Sequence, residues 1–101
     1  MSATDIGLLV DDDELYLRTL QRSLQKRGLE TVLATSIADA VEVARNRRPM
    51  FALIDLRLGK DSGLLLIEPL RAARNDMRIL LVTGYASIAT AVEAIKRGAD
   101  N

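Results

Sequence analysis

Ile6-Gly7-Leu8-Leu9-Val10-Asp11-Asp12-Asp13 is a strand-length apolar run that ends abruptly in acid. The same pattern returns downstream. Phe51-Ala52-Leu53-Ile54 runs into Asp55, and Ile79-Leu80-Leu81-Val82 runs into Thr83-Gly84. Short runs that are apolar at every position, rather than at alternate ones, mark strands buried on both faces. Leu29 to Ala34 reads as a weaker strand of the same kind.

Helical patterns fill the intervals. Leu15, Leu17, Leu20 and Leu24 recur at helical spacing, with Arg18, Gln21, Arg22 and Gln25 on the other face. Lys26, Arg27 and Gly28 close that helix, glycine being the usual stop. Ser36 with Asp39 resembles a capping box, and Ile37, Ala40, Val41 and Ala44 form the apolar stripe behind it, ending before Pro49. Gly59-Lys60-Asp61-Ser62-Gly63 is a loop by its turn residues. Leu64 to Arg74 predicts a helix in which Pro69 demands a kink or a late start. Ser87 to Arg97 predicts another, with Gly98 behind it. The order βαβαβαβα implies one α/β domain, residues 1–101, with a parallel sheet covered by helices on both faces.

The chain has 101 residues, 49 % of them apolar, and 14 basic side chains balance 14 acidic ones. Zero net charge supplies no footprint for nucleic acid or an anionic membrane. The cluster Arg45, Arg47 and Arg48 is explained by a helix C-terminus. With no cysteine and no histidine, disulfides, thiolate metal sites, Ser-His triads and imidazole ligands are excluded. Any bound metal is therefore a hard, oxygen-liking cation. The chain shows neither a run of membrane-spanning length nor a basic leader, so it is expected to be soluble and cytoplasmic.

Open parallel sheets bind ligands beyond the carboxyl ends of their strands. Here those ends carry Asp11, Asp12 and Asp13, then Asp55, then Thr83 and Gly84. Crowded carboxylates repel one another unless a cation joins them, and Mg²⁺ is the natural counterion. Asp55 is then placed to attack a phosphoryl group, with the Thr83 hydroxyl and the Gly84 backbone N–H donating to phosphoryl oxygens. Each residue alone has a duller explanation. An Asp before a helix is usually an N-cap, an Asp at a strand end is usually a turn residue, and Thr is common in strands. Their joint placement on one rim outweighs those explanations.

Leu8-Leu9-Val10-Asp11-Asp12-Asp13-Glu14, Leu53-Ile54-Asp55-Leu56-Arg57-Leu58, Gly63-Leu64 and Leu80-Leu81-Val82-Thr83-Gly84-Tyr85 together resemble the receiver domain of two-component response regulators. Thr83 to Val92, with Asp55 to Leu58, look most like the RegA/PrrA/ActR-type redox regulators. The resemblance implies a doubly wound, flavodoxin-like sheet of strand order 2-1-3-4-5. It implies phosphotransfer from the histidine of a sensor histidine kinase to Asp55, in a phosphorelay that controls a transcriptional output. The domain would be a phosphoacceptor that assists its own phosphorylation and dephosphorylation, rather than an enzyme. Asp11, Asp12, Asp55 and the backbone carbonyl of Arg57 would hold Mg²⁺, with Mn²⁺ as substitute. Thr83 and Gly84 would hold the phosphoryl group, and Asp13 would remain a cap. A DNA-binding output domain is expected elsewhere in the full protein.

The sequence departs from that pattern in two places. The chain stops at Asn101, before the family's fifth strand, its lysine and its fifth helix. Gly59 stands where many receivers carry proline. The missing end predicts an exposed fourth strand, an uncovered face around Leu17, Leu20 and Leu24, and homodimeric or strand-exchanged self-association. Two alternatives remain: a degenerate receiver that acts as a protein-interaction module, and a Mg²⁺-dependent phosphotransferase or phosphatase. The latter is disfavoured because Arg57 stands where haloacid dehalogenase-type enzymes want a second aspartate.

Overall fold

The structure is a computed structural model, and it describes residues 6–82. In chain order the elements are β1 (Gly7–Val10), α1 (Glu14–Gln25), β2 (Thr31–Ala34), α2 (Ile37–Arg47), β3 (Phe51–Asp55), β4 (Arg57–Leu58), β5 (Asp61–Ser62), a 3-10 turn (Gly63–Leu66), α3 (Ile67–Ala73) and β6 (Arg78–Val82). The main sheet runs β2-β1-β3-β6, and every pairing in it is parallel. With the small β4–β5 hairpin set aside, this is the expected order 2-1-3-4. The predicted helix at 87–97, Thr83, Gly84, Tyr85 and the chain end lie outside the described residues.

The pleat sends successive residues to opposite faces. Leu8 and Val10, with Ala52 and Ile54, pack beneath Ala40, Ala44, Leu66 and Leu70 of the second and third helical segments. Leu9 and Leu53 pack on the other face with Leu17, Leu20 and Leu24 of α1, Phe51 and Leu80. The all-apolar strands therefore serve two cores at once. The expectation of an uncovered face on α1 is corrected. Leu17 and Leu20 are 1 % exposed and Leu24 is fully buried, because the sheet itself covers them. Each such side chain contributes about 1.5–3 kcal/mol of burial. The fourth strand of the main sheet, β6, pairs with β3 alone among the described residues, yet Ile79 and Leu80 are buried.

Two local readings change, and a third, the late start at Pro69, holds. Leu29 does not begin β2. Its N–H donates to the Leu24 carbonyl and the Gly28 N–H to that of Gln25, a Schellman closure with Gly28 at φ +82. Leu29 then packs into the α1 core, and the strand starts at Thr31. The Gly59–Gly63 loop is in part a two-residue hairpin, with Arg57 facing Ser62 and Leu58 facing Asp61. Gly59 takes φ +60 at the first turn position, which suits the primed hairpin turns. Pro69 produces a late start: α3 begins at Ile67 after the 3-10 turn, so proline sits in the first helical turn, where its missing N–H breaks no helical bond. The Ser36 cap forms as expected, its hydroxyl accepting from Asp39 N at 3.2 Å. The basic cluster lies at a helix end, as read from the sequence. Arg45 and Arg47 occupy the last turn of α2, and Arg48 caps it at φ 46. Arg48 Nε donates to the Ala73 carbonyl at 3.2 Å, and Arg74 returns a bond to the Arg48 carbonyl at 3.1 Å.

Candidate functional site

β1 and β3 lie side by side with Val10 opposite Ile54. The next residues, Asp11 just past β1 and Asp55 at the end of β3, therefore stand at the same level. β6 continues the rim, with Val82 in register with Asp55 and its carbonyl accepting from Leu56 N at 2.8 Å. Thr83 follows Val82 directly in sequence.

The acidic side chains divide the work. Asp13 caps α1, its Oδ1 accepting from Tyr16 N at 3.1 Å. This leaves Asp11, Asp12 and Asp55, each of which offers one carboxylate oxygen within 4.8 Å of the others. Asp11 is 3 % exposed and its Oδ1 accepts from Asp13 N at 2.9 Å. Asp12 is exposed, and its Oδ2 accepts from Gly59 N at 3.1 Å. Asp55 is half-buried, and its Oδ1 accepts from Arg57 N at 3.2 Å. The Arg57 side chain is exposed at the start of the hairpin.

Burial pushes the Asp11 carboxyl up to about 6; the Asp13 amide pulls the other way, and the charges of Asp55 and Asp12 add to the rise. The Tyr16 phenol is also raised, by burial first and then by Asp11 and Asp55. A buried carboxylate facing two others is the arrangement that a divalent cation relieves. All donors are hard oxygens, so the set suits Mg²⁺, which is commonly held by one or two carboxylates plus waters.

Two contributors escaped the sequence reading. The Gly59 amide bonds Asp12 across 47 residues, and a turn glycine gives no sign of which carboxylate it will reach. Gly63 lies so close to β3 that a Cβ there would stand 2.3 Å from the Asp55 carbonyl oxygen. Glycine at the foot of a helical segment is the signal for such an approach, although the same residue also marks ordinary turns.

The family model of the response regulator receiver domain matches residues 8–101. The acid tolerance regulatory protein ActR of Sinorhizobium medicae is 49 % identical over 92 residues, covering 91 % of this chain and 47 % of ActR. The photosynthetic apparatus regulatory protein RegA of Rhodobacter capsulatus is 47 % identical, covering 91 % of this chain and 50 % of RegA. The chain thus spans about half the length of the curated relatives it matches. A crystal structure of a response regulator protein from Burkholderia pseudomallei with a phosphorylated aspartic acid, calcium ion and citrate is also similar. It is 47 % identical at a TM-score of 0.78, over 96 % of this chain and 57 % of that one.

Proposed function

This chain belongs to the response regulator receiver domain family, and from that premise we propose that Asp55 is its phosphoacceptor and that Asp11 and Asp12 serve the cation. The observation that carries the reading is the convergence of the three carboxylates within 4.8 Å from two neighbouring strand ends. Family membership makes the domain a phosphoacceptor in two-component signalling. The assignment of Asp55 rests on its place at the end of a central strand, half-buried, beside two carboxylates.

In the transfer, a carboxylate oxygen of Asp55 attacks the phosphorus of a phosphohistidine on a sensor kinase. The new O–P bond forms as the N–P bond breaks, and the electron pair leaves with the imidazole nitrogen. Asp11, Asp12, Asp55 and the Arg57 carbonyl would hold Mg²⁺, or Mn²⁺ in its place. The bound cation supplies positive charge against the phosphoryl oxygens. The chain's own groups do the rest. The Arg57 N–H occupies Asp55 Oδ1 and leaves the other carboxylate oxygen for the attack. Thr83 and Gly84, which follow Val82 in sequence, would donate to the phosphoryl oxygens once transferred. The calcium and phosphoaspartate in the Burkholderia protein support both roles. The sensor kinase and a DNA-binding output domain complete the pathway. The regulatory titles of ActR and RegA support a transcriptional output.

The test is phosphorylation of the intact polypeptide with acetyl phosphate and Mg²⁺. One phosphoryl group is expected, located on Asp55 by peptide mass spectrometry and absent in Asp55→Asn. Label on any other residue overturns the assignment.

A further inference from the structure

Asp12 and Asp55 hang from different strands, and their separation decides whether one cation can touch both. The stretch from Asp55 to Gly59 is stiff. Arg57 N–H is bonded to Asp55 Oδ1 at 3.2 Å, and Arg57 and Leu58 are paired with Ser62 and Asp61 in the hairpin. At the tip of that hairpin the Gly59 N–H donates to Asp12 Oδ2 at 3.1 Å. The path Asp12–Gly59–Leu58–Arg57–Asp55 therefore links the two carboxylates through the hairpin by two side-chain hydrogen bonds. That path includes both carboxylates and the backbone of Arg57.

We propose that the Gly59 amide is a positioning group of the metal site: it holds the exposed Asp12 carboxylate against the hairpin, so that the ligand set is assembled before the ion arrives. The inference deepens the proposed function and rests on Asp12 and Asp55 sharing one cation. A surface aspartate left untethered loses rotamer freedom only when the ion binds, and that loss subtracts from affinity. The tether moves the ordering into folding. It occupies one oxygen of Asp12 and leaves the other for the ion. Gly59 meets both requirements of the position, because it keeps an N–H and adopts φ +60 without strain. Proline would lack the N–H and fix φ near −65°.

The experiment titrates the intact polypeptide with MgCl₂ by calorimetry and by amide NMR, in wild type, Gly59→Pro and Gly59→Asn. Gly59→Pro is expected to bind Mg²⁺ roughly three- to tenfold more weakly, the equivalent of about 0.7–1.4 kcal/mol. Gly59→Asn, which tolerates the left-handed φ and keeps the N–H, is expected to restore most of the affinity. Equal affinity in wild type and Gly59→Pro overturns the tether alone. A wild type that binds no Mg²⁺ at the carboxylates overturns the site reading and the tether with it. Hydrogen exchange of the Gly59 amide without metal gives a second readout that does not depend on Gly59→Pro folding. It is expected to quicken at least about threefold in Asp12→Ala, as loss of the acceptor frees the N–H. Unchanged exchange there also overturns the proposal.

Discussion

Gly63 presses its bare Cα against the backbone of Asp55: a Cβ at that position would stand 2.3 Å from the Asp55 carbonyl oxygen and 2.9 Å from Ile54 Cγ2. The neighbours are backbone and a fully buried side chain, so neither can swing aside. Gly63→Ala should therefore displace the end of β3, costing about 1–3 kcal/mol as overpacking does. It should also slow phosphorylation of Asp55 by acetyl phosphate. Urea unfolding measures the first effect and phosphorylation rate at saturating Mg²⁺ the second. A variant with wild-type values of both would show that the backbone yields freely there.

A second close approach lies at the opposite end of the sheet. A Cβ on Gly7 would fall 2.0 Å from the Phe51 ring, which fills the space beside β1. Gly7→Ala should destabilise the fold by roughly 1–3 kcal/mol without touching the carboxylates. The double variant Gly7→Ala/Phe51→Leu should recover part of that loss, a coupling that a double-mutant cycle reads directly. Strict additivity would place the cost elsewhere.

The contrast between these elements shows what the sequence made legible. The runs Gly7–Val10, Phe51–Ile54 and Ile79–Val82 carry no polar side chain and are each followed by a polar residue, so both the strands and the shared rim could be read from the sequence pattern. The hairpin at Arg57–Ser62 could not. Two-residue strands have no periodicity, and their pairing depends on the φ of Gly59. Leu29 looked like strand because it is apolar, yet it closes the helix before it. Apolar character marks burial without marking which element does the burying. The carboxylate trio was legible because parallel topology brings strand ends together. The amides that orient it were not, because backbone donors are the same in every residue but proline.

Asp11 gives the site a pH signature. Its carboxyl titrates near 6 in the folded chain against 3.8 as a free group, chiefly through burial. The folded state thus binds the proton more tightly than the unfolded one. The resulting stabilisation is complete below the unfolded value and is lost as pH rises through about 6. Metal-free protein should lose on the order of 1 kcal/mol between pH 5 and pH 7.5. Asp11→Asn should flatten the profile and stabilise the protein at pH 7.5. Bound Mg²⁺ competes with the proton, so its affinity should fall as pH drops through 6. Chemical denaturation across that range, with and without Mg²⁺, measures all three. A wild-type profile as flat as that of Asp11→Asn would refute the shift.

Arg57 bears on the lifetime of the phosphorylated state. Its side chain is exposed and stands two residues from Asp55, within the hairpin. A guanidinium there can pair with phosphoryl oxygens and crowd the water that hydrolyses the acyl phosphate. Arg57→Ala should speed dephosphorylation by less than about tenfold, the ~1.4 kcal/mol that one exposed charge-assisted contact can carry. Decay of phosphate-labelled protein after donor removal is the measurement. An unchanged rate would leave Arg57 as a backbone ligand only.

Asp12 and Asp13 are adjacent, identical in chemistry and assigned to different tasks, which allows a double dissociation. Asp13 Oδ1 accepts from Tyr16 N at 3.1 Å and closes the first turn of α1. An N-cap aspartate replaced by alanine costs about 0.5–2 kcal/mol of stability. Asp12 is exposed, and its Oδ2 accepts from the Gly59 amide at the hairpin tip. Its carboxylate belongs to the trio within 4.8 Å, and that of Asp13 does not. Asp12→Ala should therefore weaken Mg²⁺ binding about tenfold or more, since a hard cation held by few carboxylates depends on each. Removing a charge that repels Asp11 should leave metal-free stability nearly unchanged or slightly raised. Asp13→Ala should show the reverse: lowered thermal stability, with Mg²⁺ affinity within about twofold of wild type once the protein is folded. Calorimetric titration with Mg²⁺ and thermal unfolding, applied to both variants, give four numbers. Equal losses of affinity would place Asp13 among the ligands, and a destabilised Asp12→Ala would show that its bond to the Gly59 amide outweighs the relief of charge.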